Sequence, residues 1–209
     1  MIFKLDPQGT YSVVNSFQGT PAAISPVSPL YQHTNGLLYG VTQNGGLGHG
    51  FVFSFDIGAK PFARLELASG VAGDSIGIFG QGFLTATGVT FGGVPASFAT
   101  AGDNYLTVTV PSGGKSGSVV VQMPGGNLTS SQLFKIVPTI TSFTPSQGPV
   151  GTVVTITGTG LVQTSHVTFG GVAATSFTVN SGTQVTATVP AGAKTGKVAV
   201  KTIGRKRKQ

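Results

Sequence analysis

The chain has 209 residues, of which only 8% are charged, 33 are glycine and none is cysteine. An ordinary soluble domain carries about 25% charged residues, and the absence of cysteine excludes a disulfide framework and any thiolate metal site. The formal charge is +7, but Arg205, Lys206, Arg207 and Lys208 supply four of those charges, so the high pI belongs to the end of the chain and not to its body.

Helices are disfavoured, because glycine costs about 1 kcal/mol per helical position and the abundant β-branched residues pack better on a pleated surface. Disorder is equally disfavoured, since a 39% hydrophobic content with regular alternation suffices for a core. No run of about 18 apolar residues is present, so no membrane-spanning helix is expected. Met1-Ile2-Phe3-Lys4-Leu5-Asp6 lacks the basic and apolar regions of a signal peptide, which as written gives the chain no export route. The expectation is an all-β protein with many glycine-rich turns.

In chain order, the first pattern is a short repeat. Ile2-Phe3-Lys4-Leu5-Asp6 recurs as Val52-Phe53-Ser54-Phe55-Asp56, fifty residues on. Both aspartates precede turns, where a carboxylate can cap backbone N–H groups. Tyr11 to Phe17 and Asn35 to Gly40 lie between, followed by the glycine-rich run Gly45-Gly46-Leu47-Gly48-His49-Gly50. This arrangement resembles the propeller-like tandem repeats of about fifty residues in bacterial surface and secreted proteins. A unit of that kind does not bury its apolar face without neighbours.

The second pattern is longer and closer. Val89-Thr90-Phe91-Gly92-Gly93-Val94 recurs as Val167-Thr168-Phe169-Gly170-Gly171-Val172, at an offset of 78. The same offset pairs Gly73 with Gly151, and Gly80-Gln81-Gly82-Phe83 with Gly158-Thr159-Gly160-Leu161. Downstream the offset is 79, pairing Pro111-Ser112-Gly113-Gly114-Lys115-Ser116-Gly117 with Pro190-Ala191-Gly192-Ala193-Lys194-Thr195-Gly196. This is a tandem duplication. In the second copy, strands are expected over 153–157, 166–169, 175–179, 185–189 and 197–202, a spacing that suggests a sandwich or barrel. The Gly-Gly step fits a hairpin whose turn needs positive φ, which sends Phe91 and Phe169 into the core.

Pro138-Thr139-Ile140-Thr141-Ser142-Phe143-Thr144-Pro145-Ser146-Gln147-Gly148-Pro149-Val150-Gly151-Thr152, then Val154 to Gly160 and Val167 to Gly171, resembles an IPT/TIG domain. That resemblance implies an immunoglobulin-like sandwich of early-set topology. The first copy departs from the pattern at its start, where Phe62 to Leu67 replaces the usual opening strand and its proline. The expected organisation is a partial propeller-like β-repeat (1–57), a first sandwich (58–137), a second sandwich (138–204) and a basic tail (205–209). The first copy closes with Asn127 to Ile136; at an offset of 79 that stretch would fall on 206–215, where the sequence has Lys206-Arg207-Lys208-Gln209. The second sandwich is therefore expected to lack its final strand, as in a fragment or a frameshifted end of a longer protein, and to leave an unpaired edge.

Catalytic chemistry finds little support. Gly114-Lys115-Ser116 lacks the upstream glycine and the following helix of a phosphate loop. His33, His49 and His166 are far apart and not at metal-ligand spacing, and five carboxylates offer no evident pair. Neither enzyme nor cofactor is expected. Asn127-Leu128-Thr129 is formally a glycosylation sequon, and Tyr11, Tyr31, Tyr39 and Tyr105 are the aromatics available for stacking on sugars. Tyr39 and Tyr105 are taken as candidate ligand contacts, and Arg205, Lys206, Arg207 and Lys208 as candidate polyanion contacts. The leading functional reading is a non-catalytic interaction or spacer module of a bacterial cell-surface or secreted protein, with a protein or glycan partner. Accessory domains of a polysaccharide-active enzyme are the alternative. Nucleic-acid binding through the tail comes third, because Arg64 is the only arginine in the body.

Overall fold

The computed structural model describes residues 1–17, 24–44 and 49–203. The chain is all-β and divides into two compact units, Met1–Pro61 and Phe62–Gln209.

In the first unit, β1 (Ile2–Leu5) and β2 (Tyr11–Asn15) form an antiparallel hairpin. A second sheet contains β3 (Ile24–Pro26), β4 (Tyr31–Gln32), β5 (Leu38–Asn44) and β6 (Val52–Phe55). Strand β5 lies at its centre, with β3 and β4 along one edge and β6 along the other. The two aspartates fifty residues apart make the same local turn. Both β1 and β6 end at an aspartate that accepts a backbone N–H two residues on, from Gln8 at 3.0 Å to Asp6 and from Gly58 at 2.8 Å to Asp56. Asp6 also accepts from Thr10 at 2.7 Å, and that bond holds its carboxyl below the usual carboxylate range. A propeller-like repeat is not shown by this hairpin and sheet.

The second unit holds two immunoglobulin-like sandwiches in tandem. Chain order in the first is β7 (Arg64–Leu65), β8 (Ser69–Gly70), β9 (Ser75–Phe79), β10 (Gly88–Phe91), β11 (Val94–Ala96), β12 (Phe98–Gly102), β13 (Tyr105–Thr109), β14 (Gly117–Gln122) and β15 (Leu128–Ile136). One sheet runs β12-β13-β9-β7 and the other β11-β10-β14-β15-β8. Alternating side chains from both sheets meet between them. Ile76, Ile78, Leu106 and Val108 come from the first sheet, and Val89, Phe91, Val119, Val121 and Phe134 from the second. The departure seen at the start of this copy has a structural counterpart, since its opening strand is only two residues long.

The second sandwich consists of β16 (Thr139–Thr144), β17 (Val153–Thr159), β18 (Thr164–Phe169), β19 (Val172–Ala173), β20 (Phe177–Val179), β21 (Gln184–Thr188) and β22 (Val198–Thr202). Its sheets run β16-β17-β21-β20 and β19-β18-β22. Each Phe-Gly-Gly-Val step is a two-residue hairpin with both glycines at positive φ, 55° and 87° at Gly92 and Gly93, 56° and 87° at Gly170 and Gly171. This is the primed geometry that matches strand twist. Phe91 is fully buried and Phe169 is 7% exposed, as their place before the turn implies. Lys115 lies in a turn leading into β14, not at the start of a helix.

The two sandwiches are fastened together at one point. The Gln163 side chain accepts from the Ser116 N–H at 2.7 Å and donates back to the Ser116 carbonyl at 3.3 Å. Close by, the Gly160 N–H donates to the Ser112 carbonyl at 3.3 Å. Gly182 packs so near Gly113 that an added Cβ would stand 2.9 Å from its Cα.

Candidate interaction face

The two tyrosines singled out from the sequence lie in different units. Tyr39, on β5, is half-buried and faces Tyr31 across the ladder. Its hydroxyl accepts from the Asn35 side-chain amide at 3.0 Å, and its ring stands edge-on to His33 at 5.5 Å. Tyr39 is therefore held as part of the local structure, whereas Tyr31 is 57% exposed. His33, His49 and His166 are all exposed, and no group of three metal-ligating side chains occurs among the described residues.

Tyr105 is half-buried, as Tyr39 is, and stands on an outward sheet face. On β13, β9 and β7 the inward residues are Leu106, Ile78 and Leu65, so Tyr105, Phe79 and Arg64 form a row on the outer face. Tyr105 and Phe79 are directly paired across the strands, with ring centroids 5.0 Å apart and planes at 50°. Phe79 is 44% exposed. Beside them the outer face is notched at Gly77, where a Cβ would collide with the Tyr105 hydroxyl and the Glu66 carboxylate. Glu66 fills the notch, accepting the Gly77 N–H at 3.1 Å and the Tyr105 hydroxyl at 3.5 Å. Two tilted rings beside a carboxylate and Arg64 make an amphipathic surface. Aromatic faces in such a setting offer contact area with little conformational entropy to lose.

Sequence reasoning missed Phe79 and Glu66. Phe79 reads as the end of an apolar strand, and its meeting with Tyr105 depends on a register between strands 26 residues apart. The Gly45–Gly48 part of the glycine-rich run and the candidate polyanion residues Arg205, Lys206, Arg207 and Lys208 lie outside the described residues. No helix among the described residues is long and apolar enough to cross a membrane.

Among solved structures, a surface glycan-binding protein of Prevotella bryantii aligns at 19% identity and a TM-score of 0.42, covering 67% of this chain and 39% of that one. A second such protein, from the mixed-linkage glucan utilization locus of Bacteroides ovatus, was solved with a mixed-linkage heptasaccharide. It aligns at 19% identity and a TM-score of 0.29, covering 80% and 46%. The extracellular region of plexin A4 aligns at 20% identity and a TM-score of 0.31, covering 76% and 15%. This chain thus spans less than half the length of each, and at these identities and scores what those proteins bind says nothing about this one. No curated protein matches the sequence. The IPT/TIG domain model matches twice, over residues 64–136 and 138–208. With that model covering more than half of its length, the chain belongs to the IPT/TIG domain family and carries two such domains in tandem.

Proposed function

We propose that the chain is a non-catalytic interaction module of a cell-surface or secreted protein, and that the outer face of the first sandwich is where it meets its partner. The observation that carries this reading is the Phe79–Tyr105 pair, with Phe79 exposed and Tyr105 half-buried on a sheet whose other outward positions are small or polar. The favoured partner class is a glycan: the rings are adjacent, and Glu66 and Arg64 supply polar groups beside them. The Gln163–Ser116 fastening fits a spacer role, since it limits the freedom of one sandwich against the next.

Affinity electrophoresis through gels containing a panel of soluble polysaccharides tests the reading directly. The chain should be retarded by at least one of them, and Phe79→Ala or Tyr105→Ala should each weaken retention by about tenfold, the scale of losing a stacked aromatic anchor. Retardation that survives both substitutions would move the site elsewhere. No retardation in any gel would sink the glycan assignment.

A further inference from the structure

The two sandwiches repeat each other's inward residues but not each other's charge. The first, over 62–137, carries Arg64, Lys115 and Lys135 against Glu66, Asp74 and Asp103. The second, over 138–203, carries Lys194, Lys197 and Lys201 and has no carboxylate. The ladders fix the correspondence: Thr144 stands in place of Glu66 and Thr152 in place of Asp74. Gly182 replaces Asp103, its carbonyl accepting the Leu161 N–H as that of Asp103 accepts the Phe83 N–H. Lys194 repeats Lys115. The basic side chains new to the second copy are therefore Lys197, Lys201 and His166.

All three belong to one sheet face. Along β22, Val198, Val200 and Thr202 turn inward, so Ala199 and Lys201 turn outward, with Lys197 on the same side one step before the strand. Lys201 pairs with His166 on β18, and Ala199 with Thr168, which pairs in turn with Ala173 on β19. Lys197, Lys201 and His166 are exposed. The Ser165 hydroxyl donates to the Lys201 carbonyl at 3.1 Å and lies 3.2 Å from the His166 Nδ1, which ties the imidazole to the Lys201 end of the row. The same positions of the first sandwich hold Ser118, Val120 and Gln122 on β14, with Gly88 and Thr90 on β10. Beneath the face, Val167, Phe169, Val198 and Val200 repeat Val89, Phe91, Val119 and Val121. One outward face has thus turned from neutral to basic over inward residues that did not change.

We infer that the outer face of β19-β18-β22 binds an acidic polysaccharide, a sugar chain bearing uronate carboxylates. At about 3.3 Å per residue, Lys197 and Lys201 lie about 13 Å apart along the strand. One small anion cannot meet both, whereas a polymer presents a carboxylate to each, and the second contact on a chain already held is intramolecular. Ala199, Thr168 and Ala173 form a low floor beside the cations, and the sandwich has no carboxylate to repel the ligand. Nucleic acid fits this face poorly. The second sandwich has no arginine, and its phenylalanines lie inward or on the other sheet, so neither a bidentate phosphate clamp nor a stacking platform is present. An anionic membrane calls for about four to eight clustered basic residues, more than this face holds.

The test is affinity electrophoresis of the full chain through polygalacturonate at low ionic strength, with fully methyl-esterified polygalacturonate as the neutral chain of the same backbone. Each migration is compared with a gel lacking polymer. Retardation by the acid form alone, lost at high salt, is the expected result. Lys197→Ser combined with Lys201→Gln installs the residues that the first sandwich holds at those positions. It should weaken binding about fivefold or more, the scale of two exposed charge contacts, with circular dichroism unchanged. The same loss should appear in a second background in which Arg205, Lys206, Arg207 and Lys208 are replaced by serine. No retardation by the acid form, or equal retardation by the ester, overturns the inference. So does binding that disappears with the 205–208 replacement and ignores Lys197 and Lys201. Tighter binding of oligothymidylate through the same two lysines overturns it in favour of a nucleic acid.

Discussion

The two sandwiches are an internal experiment, since one sequence pattern is folded once with a closing strand and once without it among the described residues. The first buries fifteen hydrophobic residues in one cluster and the second seven. Three of the missing eight are the β15 residues Leu128, Phe134 and Ile136. The other five, Ala63, Leu65, Val110, Val119 and Val121, have the counterparts Thr141, Phe143, Val189, Val198 and Val200, none of which is buried. Three of the eight thus lie on β15 itself, and at a fourth the residue type has changed, Thr141 standing where Ala63 stands. Of the seven positions that stay buried, Val154 and Phe169 border a cleft of about 570 Å³, whereas Ile156, Leu161, Val167, Val185 and Ala187 do not. The core of the first sandwich has one part that β15 covers, around Phe91 and Phe134, and one that the earlier strands cover.

The largest test of that division is a matched pair of truncations. Phe91→Ala should cost the first sandwich about 3–5 kcal/mol, the usual cost of deleting a buried aromatic ring. Phe169→Ala should cost the second only about 2–3 kcal/mol, because the ring already borders an open cleft and its removal creates little new enclosed void. Denaturant unfolding followed through NMR signals of each sandwich separates the two values. Equal losses would mean that the cleft does not weaken the packing around Phe169.

A smaller effect tests whether the sandwiches depend on each other. Gln163→Ala removes both bonds to the Ser116 backbone and leaves a partly buried N–H without a partner, at a cost of about 1–2 kcal/mol. Because Ser116 also accepts the Ile136 N–H, the fastening holds the second sandwich to the strand that closes the first. The expected result is a lower midpoint for the second sandwich and a wider separation of the two transitions. An unchanged midpoint would show that Gln163 adds nothing to the coupling.

Much of this architecture was legible in the sequence, and the reason is local. Alternation gave the strands of the second copy to within two residues at most ends, and the Gly-Gly steps gave the hairpins, because a turn needing positive φ at two successive residues admits few others. The aspartate turns of the first unit were legible for the same reason. What stayed hidden depended on distant register. Phe79 and Glu66 join Tyr105 only through a three-strand ladder, and nothing in the chain near any of them marks the meeting. Tyr39 and Tyr105 are both half-buried, each with a hydrogen-bonded hydroxyl and a ring neighbour, and no spacing rule announces those partners. Thr202 is a further case. It stands at the place of Met123 and buries a hydroxyl that has no partner among the described residues, although its position in an alternating strand looks ordinary.

The smallest expected effect bears on how far the looser packing beside the Phe169 cleft reaches. Gly93 and Gly171 have the same φ of 87° and no atom within 4 Å of an added Cβ, so replacing either by alanine meets only backbone strain. A left-handed conformation costs an L-residue about 1–2 kcal/mol. Their neighbours are different: a Cβ at Gly92 would stand 2.7 Å from the Lys115 Cβ, and one at Gly170 would collide with the Lys194 carbonyl, so those two substitutions must also move the adjoining turn. Gly93→Ala and Gly171→Ala should therefore cost the same amount in the two sandwiches, and thermal melting of both variants measures it. If the turn is built by its own four residues, differences elsewhere between the two sandwiches cannot be felt there. A clearly smaller loss for Gly171→Ala would mean that the whole β18–β19 hairpin relaxes, and that the looser packing beside the Phe169 cleft extends to the far side of its sheet.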